Sequence, residues 1–383
     1  MSAPAVFFDH NATTALDPRV LEAMLPFLQS AQGNPTSRHS FGRAARQAID
    51  QARERVAAAV GAHPSQVVFT SGGSEADNLA IQGIAAAQTP SQIVVSSIEH
   101  PAVSKPALAL QGRGWKVASM KSHSDGTLLL DSLEQALQQK TALVSVMAAN
   151  NETGVLQDLP AIAALAAQHG ALLHTDAVQA LGKIPLDFRA SGVNAMSLSA
   201  HKIYGPQGAG ALVLDKRVDI RPLQYGGGQE KGLRSGTENI GAIVGFGLAC
   251  ELAQQELTAR AAHSKALRER LESGLQALGA AIFGRAAERL PNTSFFAFPD
   301  IEGETLVMAL DRKGFAVASG SACSSDSTEP SHVLLAMGIA PAIARGAVRI
   351  SFGSGNTAAQ VDSLLAVLND ELARMKRLAA IAV

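Results

Sequence analysis

The sequence is short of several things, and each shortage excludes something. There are only two cysteines, Cys250 and Cys323. Two cysteines build no disulfide framework, and they do not sit at a metal-ligand spacing. Formal net charge is −1, so nothing favours a polyanion and nucleic acid is not expected as a partner. No apolar run approaches the roughly 20 residues that span a bilayer. The N-terminus reaches a charge at Asp9 without a basic region and a long apolar stretch behind it, so no signal peptide is expected. These absences point to a cytoplasmic protein with reduced thiols, attached to no membrane. Repeats and low-complexity tracts are missing as well.

What is present is a chain of 383 residues, 47% apolar and rich in Ala and Leu. That length suits a large core with a smaller one beside it. Short β-rich runs alternate with helical patterns over the first two thirds: VVFT (67–70), QIVVSS (92–97), WKVASM (115–120), ALVSVM (142–147), ALLHTD (171–176), AMSLS (195–199) and GALVLD (210–215). Such alternation predicts an α/β fold with a mostly parallel sheet and helices on both faces. Residues 237–279 read as a long helical connector. TSFFAF (293–298), FAVAS (315–319), AVRISF (347–352) and a terminal helix from about 357 form an α+β pattern. The expected division is a large domain over 15–250 and a small domain from 1–14 with 251–383.

Open α/β sheets bind ligands outside the carboxyl ends of their strands. Here those ends carry polar groups. Gly72-Gly73-Ser74 follows the first run and opens a helix; glycines let a backbone close in, and helix N-terminal N–H groups bind phosphate. An ordinary turn with Ser74 as N-cap fits the same residues. Asp176 ends an apolar strand and suits a protonated ring nitrogen such as that of pyridoxal phosphate (PLP), or else caps a helix. His100 can stack on a planar ring and move protons, or cap the helix that begins at Pro101. Lys202, after Ser-Ala-His, suits a Schiff-base lysine, or is a solvated loop lysine. Ser199 and Lys202 also fit Ser-x-x-Lys, but the companion Ser-Asp-Asn and Lys-Thr-Gly motifs of the β-lactamases are missing.

Cys323 lies in SGSACSS, where small neighbours expose a sulfur; burial as a small apolar residue is the other reading. Cys250, in VGFGLACELA, reads as core. Arg349, inside a strand pattern, can hold a carboxylate bidentately or lie on an edge strand.

Eight motifs then fall in one order: GNPTSRHSFG (33–42), FTSGGSEADN (69–78), EHPAV (99–103), NNETG (150–154), HTDAVQ (174–179), SLSAHKIYGPQG (197–208), RSGTEN (234–239) and SGSACSS (319–325). In these, from DHNATT (9–14) to VRISFG (348–353), the chain resembles the cysteine desulfurases, PLP enzymes of aminotransferase fold type I. The resemblance implies a large domain with a mostly parallel seven-stranded sheet and a smaller α+β domain. It implies that Lys202 carries PLP covalently and that Asp176 faces the ring nitrogen. Gln179 and Asn151 would lie on the ring-hydroxyl side, with Gly73, Ser74, Ser199 and His201 on the phosphate. Thr237 would reach the phosphate of a partner subunit, which implies a homodimer. His100 would stack and transfer protons, Asn34 and Arg349 would bind the carboxylate of L-cysteine, and Cys323 would take the sulfur as a persulfide for a sulfur-acceptor protein such as an iron–sulfur scaffold.

The long SGSACSS segment resembles the branch of the family whose cysteine loop moves, and GGGQEKGLRSGTEN its nitrogen-fixation members. The chain ends at KRLAAIAV, where general iron–sulfur members continue into a scaffold-binding tail, so the resemblance does not extend to that docking. A selenocysteine lyase, another fold type I enzyme, or an inactive sulfur-relay protein would share parts of the pattern.

Overall fold

A computed structural model describes residues 5–29, 32–320 and 329–381, with side chains through Arg377. Cys323, expected to take the sulfur, lies outside the described residues. Thirteen strands are described: β1 (Val6–Phe7), β2 (Val67–Thr70), β3 (Gln92–Ser96), β4 (Lys116–Met120), β5 (Thr141–Ser145), β6 (Leu172–Asp176), β7 (Ala195–Ser199), β8 (Gly210–Leu214), β9 (Ala281–Ile282), β10 (Thr293–Ala297), β11 (Phe315–Ala316), β12 (Ala318–Ser319) and β13 (Val348–Ser351).

β2 to β8 form one seven-stranded sheet in the order β2-β8-β7-β6-β5-β3-β4. Its central pairs are parallel, while β8 runs antiparallel to both β7 and β2. The short 200–209 connection explains β8: it has no room for a crossover helix, so the chain returns beside β7 in the opposite sense. β2, β3, β5, β6 and β7 therefore end on the same edge of the sheet.

Side chains alternate between two cores. Val68, Ile93, Val95, Leu143 and Leu212 face one side with helix Gly73–Ala86, whereas Phe69, Val94, Val144 and Val213 face the other. Because both faces are covered, the strands read as continuous apolar runs. β4 is the exception: it lies at the sheet's edge and carries Lys116 and Ser119 outward.

The stretch read as a connector divides into two helices at Glu256. Ile240–Gln255 is apolar on nearly every side and buries eleven of its residues in the large core. A Cβ at Gly247 would stand 2.6 Å from Ala52 Cα, so only glycine lets this helix and Ser40–Ala59 approach so closely. Leu257–Ala277 instead buries Leu267, Leu271 and Leu275 with Phe8, Phe296, Phe315 and Ile350. This second core backs the antiparallel sheet β12-β13-β10-β9 and the terminal helix Ala358–Ile381. FAVAS also divides. β11 pairs with β1 and β12 pairs with β13, because the chain changes partners at Val317. The parallel β1–β11 pair ties the N-terminus to this second core, and the next residues, 9–14, reach the edge of the large sheet.

Candidate active site

The carboxyl edge of the large sheet borders a cavity of about 690 Å³. Ten of the predicted site residues line it: Gly73, Ser74, His100, Asn151, Asp176, Gln179, Ser199, His201, Lys202 and Arg349. Asn34 and Thr237 do not. Asn34 is exposed, and its Oδ1 accepts from Thr36 N at 2.9 Å and Thr36 Oγ1 at 2.7 Å. Thr237 is exposed as well.

At one end of the cavity helix Gly73–Ala86 begins. Its N-cap is Gly72, and no side chain caps it. The reading of Ser74 as cap is therefore wrong: Ser74 is already inside the first turn. Uncapped N–H groups and the helix dipole both favour an anion there. A side chain at Gly73 would meet Val178 Cγ2 at 2.7 Å, and one at Gly210 would strike the Gly72 backbone at 2.6 Å. The turn has no room for either. Ser199 Oγ points to this region with no hydrogen-bond partner, although Ser199 is 1% exposed. His201 Nδ1 lies 3.1 Å from Thr13 Oγ1.

Asp176 ends β6. No helix follows, so it caps none; its Oδ1 accepts from Val178 N at 2.8 Å in a tight turn. Burial pushes its carboxyl up to about 6, with the Val178 N–H and Lys202 opposing. Behind it lies a polar layer that the sequence reading did not single out. Burial lifts Glu99 to about 8; its Oε1 bonds Ser96 Oγ and accepts from Met147 N at 2.8 Å. Burial and then Asp176 raise Asp77 well above the carboxylate range. His174, pushed down to about 3 by burial, bridges Ser145 Oγ (2.8 Å) and Ser197 Oγ (2.9 Å). The available signal was polarity where strands should be apolar.

Lys202 follows β7 on a single 3₁₀ turn. Its Nζ donates to the backbone carbonyls of Asn11 (2.5 Å) and Ala12 (2.6 Å), so it is held and is not a solvated loop lysine. DHNATT thus supplies a wall of the site. His100 does cap helix Pro101–Ala109, its Nδ1 accepting from Ala102 N at 3.1 Å, and it also lines the cavity. With Nδ1 an acceptor, the neutral ring carries its proton on Nε2. Burial, Lys202 and His332 push this histidine down to about 4.

Arg349 is not on an edge strand, since β13 lies between β12 and β10. It is 5% exposed. One terminal nitrogen donates to Asp9 Oδ1 (2.7 Å), the other to Asn151 O (2.9 Å), and Nε is buried without a partner. Cys250 is buried in helix Ile240–Gln255, and burial pushes its thiol up, as suits a core residue.

A phosphate-sized cradle with an orphan hydroxyl, a carboxyl that a cation would ionise, and a held lysine meet in one cavity at the edge of a mostly parallel sheet. They fit PLP, and they define the chain as a PLP-dependent enzyme of fold type I. The chain belongs to the class-V aminotransferase family, whose profile matches residues 6–364. It is 47% identical over 368 residues to a cysteine desulfurase of Cereibacter sphaeroides, covering 95% of this chain and 94% of that one. Among solved structures, a NifS-like protein superposes with a TM-score of 0.91 at 41% identity, covering 96% of this chain and 99% of that one. A structure of SspA in complex with cysteine superposes with a TM-score of 0.80 at 34% identity, covering 90% and 98%.

Proposed function

We propose that this chain is a PLP-dependent cysteine desulfurase, converting L-cysteine to L-alanine and passing the sulfur to Cys323. The observation that carries the reading is the convergence of Lys202, Asp176, Ser199 and the uncapped start of helix Gly73–Ala86 on one cavity with Arg349. The names of the similar proteins support the choice of substrate.

Bound PLP supplies an electron sink that stabilises negative charge developing on carbons of the substrate. The residues do the rest. Gly73, Ser74, Ser199 and His201 hold the phosphate, Lys202 holds the cofactor covalently, and Asp176 keeps the ring nitrogen protonated. Asn151 and Gln179 bound the remaining side of the ring. Arg349 orients the carboxylate of cysteine. His100, neutral near pH 7, presents Nε2 over the cavity to position the ring and carry a proton. Cys323 Sγ, as thiolate, bonds to the substrate sulfur while the substrate's C–S bond breaks. The sulfur leaves as a Cys323 persulfide, the carbon it leaves gains a proton, and alanine is released.

Thr237 is exposed and outside its own chain's cavity, which suits the homodimer in which it serves the partner's phosphate. Asn34 joins Arg349 at the carboxylate only if its exposed loop approaches the cavity in that assembly. The persulfide then passes to a sulfur-acceptor protein, and a reducing compartment such as the cytoplasm would keep Cys323 a thiol between turnovers. Among the described residues, no helix is long and apolar enough to cross a membrane.

The test is alanine release from cysteine by wild type and Cys323→Ala. Wild type should release alanine and form a protein persulfide. Cys323→Ala should bind PLP, form no persulfide and release little alanine. Desulfuration at the wild-type rate by Cys323→Ala contradicts the persulfide route.

A further inference from the structure

Lys183 lies seven residues after Asp176, on no motif with an assigned role, and its amine is enclosed beside the site. Its Nζ donates to Gln179 Oε1 at 2.6 Å and to Asn11 Oδ1 at 3.0 Å. Among the described residues it forms no salt bridge within 4.0 Å. A half-buried lysine whose amine bonds two amide oxygens needs a reason, because lysine drawn out of water is rarely left without a carboxylate.

Bonds to groups other than Lys183 tell the nitrogen end of each amide from its oxygen end. Gln179 Nε2 donates to the Asn11 carbonyl at 2.9 Å. A carbonyl only accepts, so this end of the Gln179 amide must be nitrogen and the other end oxygen. Asn11 Nδ2 donates to the Asn151 carbonyl at 3.2 Å, and its Oδ1 accepts from Asn292 Nδ2 at 3.1 Å. Both oxygens therefore face Lys183. Asn11, 1% exposed, is the centre of the arrangement, for its carbonyl also accepts from Lys202.

We propose that Lys183 is a positioning residue of the cofactor site: by donating to Gln179 and Asn11 together, it locks the Gln179 amide with its nitrogen toward the cavity, so that Gln179 can only donate to the cofactor. One Nε2 hydrogen is held by the Asn11 carbonyl, and the second remains for the ring-hydroxyl oxygen of PLP. An acceptor there would repel that oxygen when it carries negative charge; a donor stabilises the charge. Burial, Lys202 and Arg349 push Lys183 well below the ordinary lysine range. The neutral amine still has two N–H groups, as many as the two oxygens require, so the lock does not depend on its charge.

The inference rests on the PLP reading, and its test separates the two. PLP affinity and the pH midpoint of the near-visible band are measured for wild type, Lys183→Met, Lys183→Arg, Gln179→Ala and the double variant Lys183→Met/Gln179→Ala. Lys183→Met should weaken PLP by about tenfold and raise the midpoint, as loss of one hydrogen bond to a charged group would. The double variant should bind no more weakly than Gln179→Ala alone, because both changes remove the same donor. Lys183→Arg, which keeps N–H groups, should stay within about threefold of wild type. Wild-type affinity in Lys183→Met, losses that multiply in the double variant, or an Arg variant as weak as Gln179→Ala would each overturn the assignment. That last comparison stands even if Lys183→Met does not fold. Failure of the cofactor reading shows separately, as a wild-type protein that binds no PLP.

Discussion

Asp176 and Arg349 face one cavity from two different sheets, and the protein treats their charges in opposite ways. Asp176 leaves β6 with a backbone N–H for a partner and with Asp77, Glu99 and His174 behind it, all driven toward their neutral forms by burial. Arg349 sits on β13 already bonded to a carboxylate, Asp9, and to a carbonyl. A carboxyl held near 6 gains most when a cation arrives, because the cation relieves the cost of ionising it. An arginine that already faces a carboxylate has part of its charge offset, so it attracts an incoming carboxylate less strongly. On the proposed function, one side would hold a permanent cation-bearing ring tightly, and the other a passing substrate less so.

The strongest challenge to this contrast is Lys202→Ala. It leaves Asp176, Ser199 and the helix start intact but removes the covalent hold. Turnover should fall by at least about a thousandfold, the range expected when a nucleophilic group is deleted. PLP should become removable by dialysis. A colourless wild type, or borohydride labelling at a different lysine, would contradict the assignment.

The next effect tests Asp176 without any substrate. Its folded carboxyl is raised from about 3.8 to about 6, so the folded state holds a proton that the unfolded chain has lost between those values. Its contribution is fully present below pH 4 and is lost as pH rises toward 6, by about 3 kcal/mol in all. Glu99, raised to about 8, extends the decline to higher pH. Over the same interval Glu99 adds to the fall, and His10, His100, His174 and His201, pushed down by burial, oppose it. The test is therefore a difference: the urea midpoint of cofactor-free Asp176→Asn should rise relative to wild type as pH goes from 4 to 6, because the variant lacks the falling contribution of Asp176. Bound PLP should remove that contribution too, since its ring cation favours the ionised carboxyl. An unchanged slope in Asp176→Asn would remove Asp176 as its source.

Much of this was legible in the sequence. The seven β-runs all became strands of one sheet; those covered on both faces advertise themselves as unbroken apolar runs, and β4, at the edge, is mixed. Their carboxyl ends named most of the cavity in advance. Less visible were groups whose role depends on a long-range approach. Asn11 and Thr13 reach Lys202 and His201 across nearly two hundred residues. Lys183 reads locally as a surface lysine until Asn11 is placed against it. The split of FAVAS into β11 and β12 turns on two different partners, which a run of alternating residues does not encode.

The smallest predicted effect bears on Arg349. If Asp9 competes with the carboxylate of cysteine for the same guanidinium, Asp9→Asn should lower KM for cysteine by about threefold and change kcat little. That is the signature of uniform binding with no gain specific to the transition state. The asparagine keeps an oxygen for the hydrogen bond at 2.7 Å, so the arginine stays oriented while the opposing charge disappears. Arg349→Ala, by contrast, should raise KM far more, because nothing else described at that end of the cavity offers a guanidinium fork. The alternative is that Asp9 serves mainly to hold Arg349 in place. Asp9→Asn would then raise KM in the same direction as Arg349→Ala, and the contrast between a lightly partnered Asp176 and a competed Arg349 would fail on its second half. Initial rates over a range of cysteine concentrations, for the two variants and wild type, decide between them by the sign of the change in KM.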